Sequence, residues 1–204
     1  MSAEYFWDVE QNTPEWLALR LGIPTTSAFK CLLMSGKKKG EPSETRRKYL
    51  LRLAGERITG ELEEGYSNAS MDRGHIMEPE AVDLYAMLTD TEPKKVGFIR
   101  NGELGGSPDR VVGNDGLLQI KTAKPSVLLD IHEKGGTDDH LAQVQGEIWV
   151  AEREWNDLLI YWPGLPPHIH RYYRDEAYIK RLSEAADAFL DELHALTIKY
   201  GAAA

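Results

Sequence analysis

The chain has 204 residues, with 24 Lys and Arg against 33 Asp and Glu and a formal net charge of −9 at pH 7, and this length predicts a single domain, residues 1–204, with a sizeable core. Its one cysteine, Cys31, excludes an internal disulfide framework, and neither a membrane-spanning stretch nor a signal pattern is evident, so we expect a cytoplasmic protein. The excess of acidic residues disfavours binding to nucleic acid through broad neutralisation of its phosphates. Any such binding would depend on local basic segments such as 37–39 and 46–48.

The N-terminal half is predicted to be helical. A threonine followed by a proline opens one helix, and a serine opens another that continues with apolar residues at helical spacing. Pro79 predicts a kink or a local break in the last of these helices. The expected helices begin at Thr13, at Thr26 or Ser27, and at Ser43, and the fourth runs from about Ser70 to Leu88.

The C-terminal half alternates strands and helices. Strands are expected at residues 96–100, 110–112, 116–122, 158–162 and 169–173, and helices near residues 126–133, 138–152 and 175–199. Strands in the middle of the chain, with helices before and after them, predict the α/β class with a mixed central β-sheet flanked by helices.

A hairpin in the middle of the chain brings polar residues together. Residues 113–116 (GNDG) favour a tight turn between strands 110–112 and 116–122. Side chains alternate along a strand, so Gln119 and Lys121 share one face of the second strand. We therefore expect these two residues to lie beside whatever precedes the first strand.

Asp109 is the residue that precedes the first strand, at the end of the segment GSPD (106–109). Carboxylate and amide oxygens are ligands that a hard cation such as Mg²⁺ takes, and a neighbouring lysine can orient a water for attack on phosphorus. Gln119 and Lys121 alone are more often polar residues on an exposed hairpin face. Their combination with Asp109 favours a metal site.

Three further motifs occur in a fixed order along the chain. They are EWLALRLG at 15–22 followed by TTS at 25–27, RGHIMEPEA at 73–81, and AQVQ at 142–145 followed by WVA at 149–151. With the hairpin segment, they resemble the phage lambda exonuclease, or YqaJ-type viral recombinase, family of the PD-(D/E)XK nucleases. The resemblance covers roughly residues 13–162 and implies a restriction-endonuclease-like core.

The resemblance also implies the composition of the active site. It implies bound Mg²⁺, with Mn²⁺ as a substitute, held by Asp109, Gln119, Glu78 and the backbone carbonyl of Ile120. It implies contacts to the attacking water or the phosphate from Lys121 and Gln145. The alternatives are a surface glutamate beside a proline for Glu78 and a solvated helix face for Gln145.

A second group of residues is implied to bind the 5′-phosphate of a DNA end. It consists of Arg20, Ser27 and Ser107. A guanidinium fork and two hydroxyls suit a terminal phosphate, and Ser107 precedes Asp109 by only two residues. The alternatives are an ion pair for Arg20 and a helix cap for Ser27.

One position departs from the family pattern, because Gln119 stands where a carboxylate is expected. A neutral amide holds a cation more weakly than a carboxylate, although some members of the superfamily carry Gln-x-Lys. Asp109, Lys121 and Glu78 remain in place, which favours an active enzyme. The implied activity is a Mg²⁺-dependent 5′-to-3′ exonuclease on double-stranded DNA ends, which releases 5′-mononucleotides and leaves 3′ single-stranded tails for phage-type recombination by strand annealing.

The resemblance further implies a homotrimer and a single-strand annealing protein as partner, in a phage- or prophage-encoded system of the bacterial host. Three alternative functions remain open. They are a catalytically inactive protein that binds DNA ends, an oligomeric recombination scaffold, and a sequence-specific endonuclease. The last of these usually needs an added recognition element, which the sequence does not show.

Overall fold

The computed structural model describes residues 2–36, 41–63 and 69–201, so the candidate basic segment 37–39 lies outside the described residues. The helices are α1 (Pro14–Arg20), α2 (Phe29–Leu32), α3 (Glu44–Thr59), α4 (Ala69–Thr89), α5 (Pro125–Lys134), α6 (Leu141–Val150) and α7 (Glu176–Gly201), with a 3-10 turn at Thr26–Ala28. The strands are β1 (Glu4–Phe6), β2 (Lys94–Lys95), β3 (Phe98–Asn101), β4 (Leu104–Gly106), β5 (Arg110–Val112), β6 (Gly116–Thr122), β7 (Trp155–Tyr161) and β8 (His168–Tyr173). None of the helices in these ranges combines the length and the apolar character needed to span a bilayer.

A five-stranded mixed sheet forms the centre of the fold, in the order β2-β5-β6-β7-β8. β6 and β7 are parallel, which requires the crossover that α5 and α6 provide, and the other neighbours are antiparallel. α4 packs on one face through Ala81 and Tyr85, and α5 and α6 pack on the other through residues such as Leu128 and Val144. This arrangement confirms the predicted mixed sheet flanked by helices.

Strand β6 is buried on both faces. Leu118 and Ile120 pack in the cluster under α4, so Gln119 and Lys121 point to the opposite face, as the alternation predicts. Gln119 is only 4% exposed. The alternative of an exposed hairpin face is therefore wrong for Gln119, because α6 covers that side of the sheet.

A second, three-stranded sheet has the order β1-β3-β4. The sequence predicts β3, at residues 96–100, but not β1, β2 or β4, which are two or three residues long. β4 contains two glycines, which strands disfavour. At Gly105 an added Cβ would lie 2.1 Å from Cζ of Phe98, so this glycine allows the two strands to approach around a buried ring.

The helix starts follow the sequence. The hydroxyl of Thr13 accepts from the backbone N–H of Trp16, and that of Ser43 accepts from Arg46 N–H at 3.1 Å. The local break predicted at Pro79 is wrong, because α4 runs continuously past the proline. A proline removes one backbone donor, and here the burial of α4 against the sheet maintains the helix.

Candidate active site

The β5–β6 hairpin places the Asp109 carboxylate against β6. Its Oδ2 accepts from the Gln119 side-chain Nε2 at 2.5 Å and from the Ile120 backbone N–H at 2.6 Å. Burial raises the pKa of Asp109 to about 6, although the nearby Lys121 charge and the hydrogen bond from Ile120 lower it. The predicted proximity of Asp109, Gln119 and Ile120 is thus present in the structure.

The Gln119 side chain continues this contact to helix α6. Its Oε1 accepts from Nε2 of Gln143 at 2.9 Å, and the same Gln143 nitrogen lies 2.8 Å from Oε1 of Glu147. The other oxygen of Glu147 accepts from Nδ2 of Asn156 at 2.7 Å. Two buried carboxylates, Asp109 and Glu147, are therefore linked by the carboxamides of Gln119 and Gln143. We call the five side chains, which include Asn156, the carboxylate–amide network.

Glu147 is absent from the site that the sequence predicts. It is only 1% exposed. Burial raises its pKa to about 7, the nearby Asp109 charge adds to this rise, and Gln143, Lys121 and Asn156 oppose it. The sequence does contain an indication, because Gln143 and Glu147 are four residues apart and so share one face of a helix.

Gln145 does not reach this network. Its Nε2 donates to the backbone carbonyl of Tyr173 at 2.8 Å, and its Oε1 accepts from the Asp175 backbone N–H at 3.0 Å. Residues two apart point to different sides of a helix, so Gln143 faces the sheet and Gln145 faces the segment between β8 and α7. The contact predicted for Gln145 at the active site is corrected to Gln143.

Glu78, on α4, is held by an arginine. Its Oε1 lies 2.6 Å from Nη1 of Arg110, and this guanidinium also donates to the backbone carbonyl of Asp109. Glu78 therefore lies on the Asp109 side of the site, as predicted, but its charge is compensated by Arg110. The sequence motif does not predict this ion pair, because the two residues are 32 positions apart on a helix and a strand.

The oxygens around Gln119 suit a hard cation. Nε2 of Gln119 lies between Asp109 Oδ2 and the Ile120 carbonyl oxygen, at 2.5 and 3.3 Å, so two oxygen ligands converge on one amide nitrogen. A half-turn of the Gln119 carboxamide exchanges that nitrogen for an oxygen. Within the described ranges no three acidic, histidine or cysteine side chains meet closely enough to hold an ion, so a cation here needs amide and carbonyl oxygens as well.

Lys121 lies beside the carboxylate–amide network without a bonded partner. Its charge lowers the pKa values of both Asp109 and Glu147, yet among the described residues its ammonium group forms no hydrogen bond or ion pair. Burial and the Lys121 charge lower the pKa of His140, at the start of α6, to about 4, so this imidazole is neutral near pH 7. Lys121 is thus available to a phosphate or a water molecule.

Arg20, Ser27 and Ser107 come together at a second site. Nη1 of Arg20 lies 3.5 Å from Ser107 Oγ, and Nη2 lies 3.4 Å from Thr25 Oγ1, which is 3.4 Å from Ser27 Oγ. The guanidinium stacks over the Trp16 ring at 4.1 Å. Burial lowers the pKa of Arg20 to about 10, and in the described part of the chain no carboxylate pairs with it.

A mostly buried guanidinium with hydroxyl neighbours and no acidic partner among the described residues suits an anion, and we call Arg20, Thr25, Ser27 and Ser107 the phosphate pocket. The alternative role of Arg20, an ion pair, is not found among the residues that the structure describes. Trp16 completes the wall, because its indole N–H lies 3.0 Å from both Ser107 Oγ and the Gly97 carbonyl.

Three of the basic residues of α3 are held close to glutamates. Arg46, Arg52 and Arg57 each lie near a glutamate, at 2.8, 3.5 and 3.2 Å respectively. Arg46 is also buried. These residues stabilise the packing of α3, and the positive charge available at the site comes from Arg20 and Lys121.

Known proteins resemble both the sequence and the fold. The family model of the YqaJ-like viral recombinase domain matches residues 15–154. The crystal structure of the alkaline exonuclease LHK-Exo from Laribacter hongkongensis is 31% identical with a TM-score of 0.82, covering 94% of this chain and 98% of that chain. Its complex with dAMP gives the same identity and TM-score over 92% and 95% of the two chains.

A phage related exonuclease from Haemophilus somnus 129PT shares the fold, with 16% identity and a TM-score of 0.69 over 87% of this chain and 96% of that chain. No curated protein sequence matches the chain. The match to the family model extends over more than half of the chain, and it agrees with the likeness to the alkaline exonuclease along almost its whole length. The chain therefore belongs to the YqaJ-like viral recombinase family, and its fold is that of the PD-(D/E)XK nucleases.

Proposed function

We propose that this protein is a Mg²⁺-dependent exonuclease that degrades the 5′-ended strand of double-stranded DNA, releases 5′-mononucleotides and leaves a 3′ single-stranded tail. Mn²⁺ is expected to substitute for Mg²⁺. Family membership and the likeness to alkaline exonucleases support the nuclease activity. The polarity and the metal requirement are supported by the arrangement of the phosphate pocket and the carboxylate–amide network.

The observation that carries the proposal is the short link between these two sites. Ser107, in the phosphate pocket, and Asp109, in the carboxylate–amide network, are separated by one residue, so a terminal phosphate bound by Arg20 lies next to the cutting site. A terminal phosphate carries more charge than an internal diester. The buried Arg20, which pairs with no carboxylate in the described ranges, therefore favours a phosphorylated DNA end over the middle of a strand.

The residues present would hold the cation through oxygen atoms of Asp109, Glu78, the Ile120 backbone and the turned carboxamide of Gln119. When bound, Mg²⁺ supplies Lewis-acid polarisation of the phosphate and lowers the pKa of water. Lys121 has no ion-pair partner in the part of the chain that the structure describes, and its charge acts on the Asp109 carboxyl. Its ammonium orients the attacking water and offsets the negative charge that develops on the phosphate.

The function is tested by digestion of linear duplexes with either a 5′-phosphate or a 5′-hydroxyl, beside a closed circular duplex, with Mg²⁺, with Mn²⁺ and with a chelator. We expect 5′-mononucleotides from the phosphorylated linear duplex only when a divalent ion is present. Lys121→Ala is expected to abolish release, whereas Lys180→Ala, which removes an exposed lysine on α7, is a matched control that should retain it.

Two outcomes would reject this function. Cleavage of the closed circle indicates an endonuclease. Absence of any release with either metal ion rejects the enzyme.

A catalytically inactive protein that binds DNA ends is the second candidate. The neutral Gln119 and the pairing of Glu78 with Arg110 favour it, because each reduces the negative charge available to a cation. Retention of 5′-phosphorylated ends without release of nucleotides would support this candidate.

We also propose, from family membership, a homotrimer that passes the 3′ tail to a single-strand annealing protein. The molar mass of the full chain in solution tests the trimer. Co-elution with an annealing protein encoded beside it tests the partner. A purely oligomeric scaffold would show that partnership without any digestion of DNA.

A further inference from the structure

Glu147 has no part in the function proposed above, although it lies in the carboxylate–amide network. Gln143 occupies the position of α6 that faces Gln119. Glu147 lies one helical turn later, on the same face of α6. The Gln143 nitrogen lies between Gln119 Oε1 and Glu147 Oε1, at 2.9 and 2.8 Å. Two oxygen atoms therefore approach the Gln143 side-chain nitrogen, as the Asp109 and Ile120 oxygens approach the side-chain nitrogen of the neighbouring Gln119.

A second carboxylate would bring the charge of the site closer to that of a divalent cation. Gln119 is neutral, and Glu78 is paired with Arg110 at 2.6 Å. Of the two carboxylates on this side of the site, Asp109 and Glu78, Asp109 alone forms no ion pair among the described residues. A hard divalent cation takes charged oxygen ligands, and one carboxylate does not neutralise it.

We propose that Glu147 is the second carboxylate of the site: it acts on the cation through the Gln143 and Gln119 carboxamides and supplies the negative charge that Gln119 lacks. The inference rests on the proposed metal-dependent function and names a residue that the family pattern does not include. The facing helix α6 thus provides a carboxylate where the sheet has a neutral amide, and the Gln119 and Gln143 carboxamides connect the two sides.

A purely structural role explains Glu147 less well. A buried carboxylate is costly unless an opposite charge pairs with it, and in the described part of the chain Glu147 is bonded only to two neutral amides. By contrast, the buried Asp157 has the bidentate Arg171 as a partner. Glu147 thus has no bonded cationic partner among the described residues, and a divalent cation in the site would supply a second positive charge beside that of Lys121.

The test measures Mn²⁺ binding by isothermal titration calorimetry at pH 8, on metal-free full-length protein without DNA. The proteins are the wild type, Glu147→Gln, Gln119→Glu, the double variant, and Glu184→Gln as a control that removes an exposed glutamate on α7. We expect Glu147→Gln to weaken Mn²⁺ binding at least about tenfold, and the control to leave it unchanged. In the Gln119→Glu background the same change should cost much less, because a carboxylate has returned to the sheet.

A second readout is the thermal midpoint, which Mn²⁺ should raise in the wild type and in the double variant more than in Glu147→Gln. If Glu147→Gln does not fold, Glu147→Asp, which shortens the side chain, takes its place in both measurements, with the same direction expected.

Wild-type affinity in Glu147→Gln, or an equal loss in both backgrounds, overturns the inference while leaving the exonuclease function intact. A wild type that neither binds Mn²⁺ nor digests DNA rejects the proposed function and the inference together.

Discussion

Replacing Glu147 with glutamine should stabilise the metal-free protein at alkaline pH. Burial raises the pKa of this carboxyl from 4.5 to about 7 in the folded state. For an acid with a raised pKa, the folded state holds a proton that the unfolded state has already lost. The contribution of Glu147 to stability is therefore fully present below about pH 4.5 and is lost as the pH rises through about 7.

The expected magnitude follows from the two pKa values. The gap between 4.5 and about 7 corresponds to roughly 3 kcal/mol, at about 1.4 kcal/mol per pH unit. For a chain of this size, that free energy corresponds to roughly 6–12 °C in the thermal midpoint. Glu147→Gln should exceed the wild type by up to this amount at pH 8 and by nothing at pH 4.5.

The structure also indicates that glutamine fits at this position. Asn156 is fully buried, and its Oδ1 has no hydrogen-bond partner among the described residues. A half-turn of the Asn156 carboxamide presents this oxygen to the amide N–H that the substitution introduces at position 147. The substitution then keeps the hydrogen bond between positions 147 and 156, and the Asn156 amide nitrogen takes the place of the oxygen that has no partner.

The assay is urea or thermal unfolding of the wild type and Glu147→Gln between pH 4.5 and 8.5 in the presence of a chelator. Glu184→Gln, which changes an exposed side chain of α7, is the control and should follow the wild type throughout. A constant difference between the two proteins across this pH range would refute the reasoning, because it would show that Glu147 has the same pKa in the folded and unfolded states.

Three further predictions concern residues outside this pair. Arg20→Gln should reduce the preference for 5′-phosphorylated over 5′-hydroxyl DNA ends by about 10- to 100-fold, because a charge-assisted hydrogen bond contributes roughly 1.5–3 kcal/mol. The measurement is the ratio of kcat/KM for the two kinds of end, and an unchanged ratio would contradict the phosphate pocket. Gln145→Ala should lower the free energy of unfolding by about 1–3 kcal/mol, because it leaves the Tyr173 carbonyl and the Asp175 N–H without their partner. Its kcat should stay unchanged, and a loss of kcat in folded protein would support the catalytic role that the sequence predicts for Gln145. Tyr85→Phe removes a 2.7 Å hydrogen bond to the buried Asp157 carboxylate and should cost about 1.5–3 kcal/mol in urea unfolding without changing nuclease activity per folded molecule.

The hairpin part of the site follows from the sequence because its contacts are local. Asp109 and Gln119 are ten positions apart, and a tight turn with β-alternation suffices to place them together. The motif order also predicts that Arg20, Ser27 and Ser107 meet, although this rests on family resemblance instead of spacing.

The contacts of α6 at the site cannot be predicted from the sequence, because the pattern of polar and apolar residues in α6 does not show which of its faces meets the sheet. A helix with one apolar stripe shows which face packs inward, but α6 buries polar and apolar residues alike, including both Gln145 and Glu147. The choice between Gln143 and Gln145 then depends on two different neighbours, the sheet and the β8–α7 segment. Such contacts between distant segments are set by tertiary packing, as is the pairing of Glu78 with Arg110.

The link between Ser107 and Asp109 has a consequence for the size of the product. Two residues of chain span at most about 7 Å between Cα atoms, and both ends are fixed, one by Arg20 and the other by β6. In the proposed function, one end of this link holds the terminal phosphate and the other cuts the strand. The distance between the bound terminal phosphate and the cut bond is then fixed by the covalent geometry of this link. Each released fragment should therefore be one nucleotide long, whatever its base.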